Sequence, residues 1–311
     1  MLSREAFEAC LLRIGEERYH HRHPFNVRMH EGRLAPQEIR TWVRNRYYYQ
    51  TRIPIKDGHI LSKAEDPGFR RNWIERIHDH DGSRDETGGL ELWLRLAEAV
   101  GLEREEVAGL RRVLPGVRVA CDDYVRFVEG HDLLTSVAAS LTEVFAGDLM
   151  RQRIEAFEKH YPWVDTEGLH YFRTRTVKAP RDGCFGLAYV LDRAQSVDDQ
   201  QRCQEALTRK CEILWRLLDA VENAHGRPRL APHALLRPDG EAGRSLVVLP
   251  ERAVRVNDSG REILDLCDGE RSIDEVAAEL FRRHPEVEEL EQDVHEFVEQ
   301  MERLGVLEPT R

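Results

Sequence analysis

The sequence predicts two folds in one chain: an all-α bundle over residues 1–225 and a small α+β module over residues 233–311, joined by a linker at 226–232. Apolar residues recur at three- and four-residue intervals through most of the first part, as in Leu92, Trp93, Leu96 and Val100, the period of an amphipathic helix. No strand pattern of any length precedes the linker. The segment Gly226-Arg-Pro-Arg-Leu-Ala-Pro232 then combines a glycine with two prolines, and beyond it the period shortens and the composition turns acidic.

In chain order, helices are expected at 4–17, 36–51, 68–80, 89–100, 121–130, 133–157, 167–175, 182–194 and 196–223. Pro36 sets a proline in a first turn, while Thr166 and Ser196 offer cap oxygens ahead of acidic residues. After the linker, short β-leaning runs at 233–237, 245–249 and 252–256 are separated first by the turn residues 238–243. Helices then follow at 260–267, capped by Asp258, at 273–283, capped by Ser272 with Glu275 closing a capping box, and at 290–304, stopped by Gly305. Three strands before three helices suggest a winged-helix-like module.

Charge narrows the partners. Net charge is −11, and residues 229–311 carry 20 acids against 11 arginines with no lysine. The remaining residues are nearly neutral, which leaves room for a locally positive pocket. Duplex nucleic acid is excluded as a partner, because phosphate binding needs a basic face; an acidic winged-helix-like module suits an extended peptide better. Glu5 and Glu8 interrupt the place of a signal peptide, and no eighteen apolar residues run together, so a cytoplasmic protein without a membrane partner is expected. The six cysteines are scattered, as reduced structural thiols are.

The chemistry-bearing residues lie in the bundle. Arg46, Tyr49 and Gln50 stand three and four apart, so a cation, a phenol and an amide share one helix face. Arg76 and His80 follow on the next helix, and histidine near neutral pH can accept a proton and return it. Tyr171 and Arg175 face together, and Tyr19, His20, Arg153 and Lys210 add further rings and cations. Such a set suits a ligand with several carboxylates. A metal site is the alternative. Glu75 with His78, Glu167 with His170, Glu17 with His20 and Glu222 with His225 have the spacing of helical di-iron proteins, and Glu143 offers a lone carboxylate. No phosphate loop or dinucleotide-binding glycine motif is present.

Several motifs resemble the pyrroloquinoline quinone synthase (PqqC) family: Tyr19-His-His-Arg-His-Pro24, Trp42-Val-Arg-Asn-Arg-Tyr-Tyr-Tyr-Gln-Thr-Arg-Ile-Pro54, His80-Asp-Gly82, Leu114-Pro-Gly-Val117, Ser140-Leu-Thr-Glu143, His160-Tyr-Pro-Trp163 and Tyr171-Phe-Arg173. Further on, Arg229-Leu-Ala-Pro-His233, Leu266-Cys-Asp-Gly-Glu-Arg271 and Gly305-Val-Leu307 are similar to the small PqqD family. The first resemblance implies a haem-oxygenase-like bundle and a homodimer, with no metal or organic cofactor. It implies ring closure and an eight-electron oxidation of a tricarboxylated amino-quinone precursor by O2, giving pyrroloquinoline quinone (PQQ) and hydrogen peroxide. The second implies a chaperone that presents a PqqA-like precursor peptide to a PqqE-like radical SAM enzyme.

By resemblance, Tyr19, His20, Arg46, Gln50, Arg76, Thr142 and Lys210 contact substrate, Tyr49 joining them from its shared face with Arg46, while His80, Arg153, Tyr171 and Arg175 serve proton transfer and the oxygen region. One position departs from the pattern. Where the family reads Phe-Ala-Pro-x-x-His-x-x-Arg, this chain has Phe145-Ala-Gly-Asp-Leu-Met150-Arg-Gln-Arg153, so a histidine is replaced by Met150, which neither donates nor accepts a proton. A non-catalytic or partially active protein that binds PQQ or the peptide therefore stands beside the enzyme as a second reading.

Overall fold

Ser3 starts the first helix, α1 (Arg4–Arg18), its hydroxyl accepting from the Ala6 amide. A 3-10 turn at His20–Arg22 leads to α2 (Pro24–His30), where His23 caps by accepting from the Phe25 amide. Then come α3 (Pro36–Lys63), α4 (Pro67–Asp81), α5 (Gly89–Ala99), α6 (Arg104–Ala108), α7 (Pro115–Gly130), α8 (Leu133–Ala138), α9 (Glu143–His160), α10 (His170–Arg193) and α11 (Val197–Asn223). The computed structural model describes residues 1–239, 244–287 and 290–308. It divides into two units, Met1–Leu110 with Gly116–Asp219, and Arg111–Pro115 with Ala220–Arg311.

The first unit is all helical, as expected, but several of its helices differ from the pattern reading, and α7 begins at Pro115 rather than at 121. α3 runs on to Lys63 through Pro54, and α10 is one helix through Pro180 where two were expected. A proline inside a helix removes one hydrogen bond and costs roughly 3 kcal/mol, so sequence rules stop there; burial of the long faces of α3 and α10 offsets the loss. The stretch expected as one helix over 133–157 breaks between α8 and α9 at residues 139–142. α2 and α6 are too short to show a period and were not expected. Asp165, rather than Thr166, caps the turn before α10, and Asn257, rather than Asp258, caps the first helix after the sheet.

Close helix packing and an aromatic cluster set the geometry. A Cβ on Gly183 of α10 would stand 2.7 Å from the Val144 nitrogen of α9, and one on Gly147 would stand 2.8 Å from the Pro180 ring. Both positions therefore require glycine, and they let the two backbones approach. Trp42, Trp93, Phe157 and Phe172 form a buried cluster. Trp93 donates to the Val43 carbonyl at 2.9 Å and meets the Tyr171 ring edge-on at 4.8 Å, which fixes where Tyr171 points.

The second unit contains an antiparallel three-stranded sheet in the order β1 (Leu235–Pro238), β2 (Arg244–Val248), β3 (Ala253–Asn257). Helices α12 (Asp258–Leu266), α13 (Ile273–Arg283) and α14 (Leu290–Arg303) follow, and Ser272 and Glu275 form the expected capping box. Val247, Val276, Val294, Val298 and Val306 centre its core. Residues of the expected linker are hydrogen-bonded into this unit: the Gly226 carbonyl accepts from Ile273 and the Pro228 carbonyl from Gly269, while Ala231 donates to Val306. Asp268 accepts from the amides of Glu270 and Arg271, which makes the Cys-Asp-Gly-Glu-Arg motif a side-chain-closed turn. Part of the turn expected over 238–243 lies outside the described residues.

Candidate functional site

The first unit encloses a cavity of about 40 Å³ lined by Tyr19, Arg46, Tyr49, Gln50, Ile53, His80, Thr142, Glu143, Ala146, Met150, Tyr171, Arg175 and Leu214. Eight of the expected site residues thus form its wall. The other four, His20, Arg76, Arg153 and Lys210, are buried directly behind it. Lys210 donates to the Tyr49 hydroxyl at 2.9 Å, the His20 ring lies tilted against that of Tyr19 with centroids 4.4 Å apart, and Arg76 lies 3.7 Å from Glu143. A larger groove of about 510 Å³ lies elsewhere on this unit, but its Arg209 and Arg216 are both held by Asp123, so it has little excess charge to offer an anion.

Electrostatically the site has two halves. In one, the cations carry their own counter-ions. Arg76 lies 3.3 Å from Asp57 and 3.5 Å from Asp182, and Arg175 lies 2.5 Å from Glu143 and 3.5 Å from Asp182. Asp57 is fully buried and also accepts from Lys56 at 2.6 Å and from the Trp73 indole at 2.8 Å. Burial alone raises the Glu143 carboxyl, but Arg175, Arg76 and Lys56 outweigh it and hold the group at about 2.

The other half is uncompensated. Among the described residues no carboxylate pairs with Arg46, Arg153 or Lys210. Arg46 lies 3.9 Å over the Tyr49 ring, Lys210 3.5 Å over the Tyr124 ring, and Arg153 5.0 Å over Trp42; with the neutral oxygens of Asn26, 3.2 Å from Arg153, and Tyr49, 2.9 Å from Lys210, aromatic faces and not carboxylates oppose their charge. Burial, then Arg46 and Lys56, push the Lys210 ammonium well below its ordinary range; burial and Arg46 push Arg153 down to about 9. His20 is 1% exposed and neither ring nitrogen has a hydrogen-bond partner. Burial, Arg46, Arg153 and Lys210 hold it neutral. Buried cations and an unsatisfied imidazole are costly to a folded chain unless something anionic completes them.

His80 is placed for proton transfer. Its Nδ1 lies 2.9 Å from the Arg76 carbonyl, which can only accept, so Nδ1 carries the proton and Nε2 keeps its lone pair. Burial and the neighbouring Arg175 lower it to about 4. Across the cavity the Tyr171 hydroxyl donates to Gln50 at 2.9 Å, bridging α10 and α3. Met150 is buried in the wall, where it fills space without offering a proton.

The metal alternative does not assemble here. Glu75 and His78 are about half exposed, Glu167 and His170 are exposed, and Glu143 is held by arginines. Pattern reading missed Lys56, Asp57 and Asp182, and took Glu143 only as a metal ligand. Asp57 continues the stripe Arg46, Gln50, Ile53 on α3, and Asp182 lies two turns beyond Arg175 on α10.

A helical bundle around a cation-rich cavity is the architecture of the haem-oxygenase-like fold. Solved structures agree on the fold: a TenA homolog from Pseudomonas syringae pv. tomato aligns with a TM-score of 0.54 at 13% identity, covering 71% of this chain and 95% of that one. A domain of unknown function with a heme oxygenase-like fold from Shewanella denitrificans aligns with a TM-score of 0.55 at 11% identity, over 70% and 89%. The chain belongs to the TENA/THI-4/PQQC family, whose pattern matches residues 9–220, and residues 233–307 match Coenzyme PQQ synthesis protein D (PqqD). It is similar to the pyrroloquinoline-quinone synthase of Rhizobium meliloti (strain 1021), at 48% identity over 80% of this chain and 96% of the relative. The synthase of Gluconobacter oxydans (strain 621H) is 41% identical over 76% and 99%.

The two halves predict opposite responses to mutation. Lys210→Met removes an uncompensated buried cation and raises the melting temperature of the ligand-free protein, whereas Asp57→Asn strips the counter-ion from Lys56 and Arg76 and destabilises it by about 3–5 kcal/mol. Differential scanning calorimetry of both variants checks this, and equal losses of stability refute the division. Acid acts in two stages. His20 and His80 bind fewer protons folded than unfolded, so stability falls as pH drops through their ordinary value of 6.5; Glu143, depressed from 4.5 to about 2, adds stability that is lost as pH falls below 4.5. Melting temperatures followed from pH 8 to pH 3, with His80→Gln softening the first stage and Glu143→Gln removing part of the second, test the order.

Proposed function

We propose that the helical unit is a pyrroloquinoline-quinone synthase, closing the last ring of a tricarboxylated amino-quinone precursor and oxidising it with O2. The observation that carries this reading is the uncompensated half of the cavity: Arg46, Arg153, Lys210 and His20 are buried together without a carboxylate, and substrate carboxylates and quinone oxygens would complete them. Each charge-assisted hydrogen bond formed there contributes about 1.5–3 kcal/mol. Arg76 and Arg175, already neutralised, then orient rather than attract. His80 Nε2 takes protons from carbon or nitrogen as electrons leave for O2, and incoming carboxylates raise its basicity towards neutrality. At about 40 Å³ the cavity holds small molecules only, whereas ligand pockets run to roughly 300–1,000 Å³, so its walls must move apart when the precursor enters.

Met150 favours a second reading, in which the site binds and cyclises the precursor but completes the oxidation slowly or not at all. The two are separated by mixing the protein with the ring-open precursor and following oxygen uptake and quinone absorbance. Uptake with formation of the product supports the synthase, and Met150→His then accelerates the oxidative phase without changing precursor affinity. Saturable binding without oxygen consumption, in both the parent and Met150→His, overturns it.

The C-terminal unit, in this proposal, binds an extended PqqA-like precursor peptide and presents it to a PqqE-like radical enzyme. The PqqD match and the open edges of the three-stranded sheet support this. Titration of the isotope-labelled full chain with such a peptide is expected to shift resonances within residues 233–307; unchanged spectra at millimolar peptide refute it.

A further inference from the structure

We infer that the C-terminal unit carries a site for a divalent transition-metal ion of the zinc type, built from Asp274, Glu291 and His295, with His225 beside Asp274 as the fourth ligand the ion would recruit. Nothing in the proposed catalysis uses these residues. Glu291 and His295 stand four apart on α14 and so share one face, and Asp274 lies in the first turn of α13. One ligand atom from each of these three falls within 4.8 Å of the other two. His225, just beyond α11, brings its Nδ1 to 3.5 Å from Asp274 Oδ2, and His295 Nε2 lies 3.2 Å from Asp274 Oδ1.

These separations fit a tetrahedral ion. Zinc bonds to nitrogen and oxygen of about 2.0–2.1 Å place neighbouring ligand atoms roughly 3.3 Å apart, close to the two histidine–aspartate distances. The donor chemistry fits as well: two imidazoles and two carboxylates suit zinc, cobalt or nickel, and neither thiolate nor an all-oxygen shell is offered to copper(I) or calcium. His295 is 8% exposed at its side chain and His225 16%, so the ion would be sheltered, while Glu291, at 32%, forms the entry side. Arg112 lies 3.1 Å from Glu291 and is the competing cation, so metal binding transfers Glu291 from the guanidinium to the ion.

Three ligands converge, and His225 beside Asp274 would supply the fourth by a side-chain shift; the closed shell so formed makes the site structural rather than catalytic. It would clip the segment after α11 to the paired helices α13 and α14 and supply two positive charges to an acidic part of the chain. Without an ion, His225 and His295 pair with Asp274 and Glu291 pairs with Arg112; the metal differs in drawing Glu291, Asp274 and His295 onto one centre.

The full chain, dialysed against a chelator and titrated with zinc chloride by calorimetry, is expected to bind one ion, to melt at a higher temperature when loaded, and to give the intense visible spectrum of tetrahedral cobalt(II) when cobalt is substituted. Glu291→Gln weakens binding by about tenfold or more, and the pair His225→Gln with His295→Gln abolishes it. Absence of saturable binding overturns the inference, and so does a pale octahedral cobalt spectrum or one equivalent bound unchanged in both variants. The cobalt spectrum of the parent chain decides the matter even if the double variant does not fold. Because no readout involves the precursor or the peptide, failure here leaves the proposed function standing.

Discussion

Repulsion among the buried cations Arg46, Arg153 and Lys210, which together with burial keeps His20 neutral, is the constraint around which the helical unit is organised. Like charges sheltered from water raise the energy of the folded chain, and aromatic faces return only part of it: a cation over a ring gains about 0.5–2 kcal/mol. Tyr49, Tyr124 and Trp42 surround the cations in this capacity. The adjoining half relieves its arginines with Asp57, Glu143 and Asp182. The chain therefore possesses the means to neutralise buried cations and withholds them on one side only, which separates a binding surface from a structural network within a few ångströms.

Much of this arrangement was legible in the sequence. The helical period, the missing strand pattern and the shift after Gly226 foretold both fold classes, and the three- and four-residue spacing of Arg46, Tyr49 and Gln50, and of Tyr171 and Arg175, put those groups on common faces before any coordinates. Part of what escaped comes from proline. Local rules end a helix near proline, so the α3 pattern stops before Pro54 with Lys56 and Asp57 beyond it, and the α10 pattern splits around Pro180, which cuts Asp182 off from Arg175 on the same face. Propensity is a local quantity, whereas the burial that carries a helix across its proline is tertiary. Asp57 was hidden for the same reason as the end of α3. The role of Glu143 was illegible on other grounds: its partners come from α4 and α10, far away in sequence.

The small unit shows the same limit in a different form. Its strands and helices follow from period and caps, and Ser272 with Glu275 performs as the capping box predicts. Residues 226–231 carry the composition of a free connector, yet their carbonyls and amides are engaged by Ile273, Gly269 and Val306. Proline and glycine report that a chain turns; they do not report whether the turned chain finds a partner.

Gly147 and Gly183 bring α9 and α10 close together, and these helices carry Glu143, Met150 and Arg153 on one side and Tyr171, Arg175 and Asp182 on the other. Contact near the main chains leaves little dependence on the bulk of any single lining side chain. A change at position 150 can thus alter which protons are available while the frame stays put, so reactivity and architecture are free to diverge at separate rates.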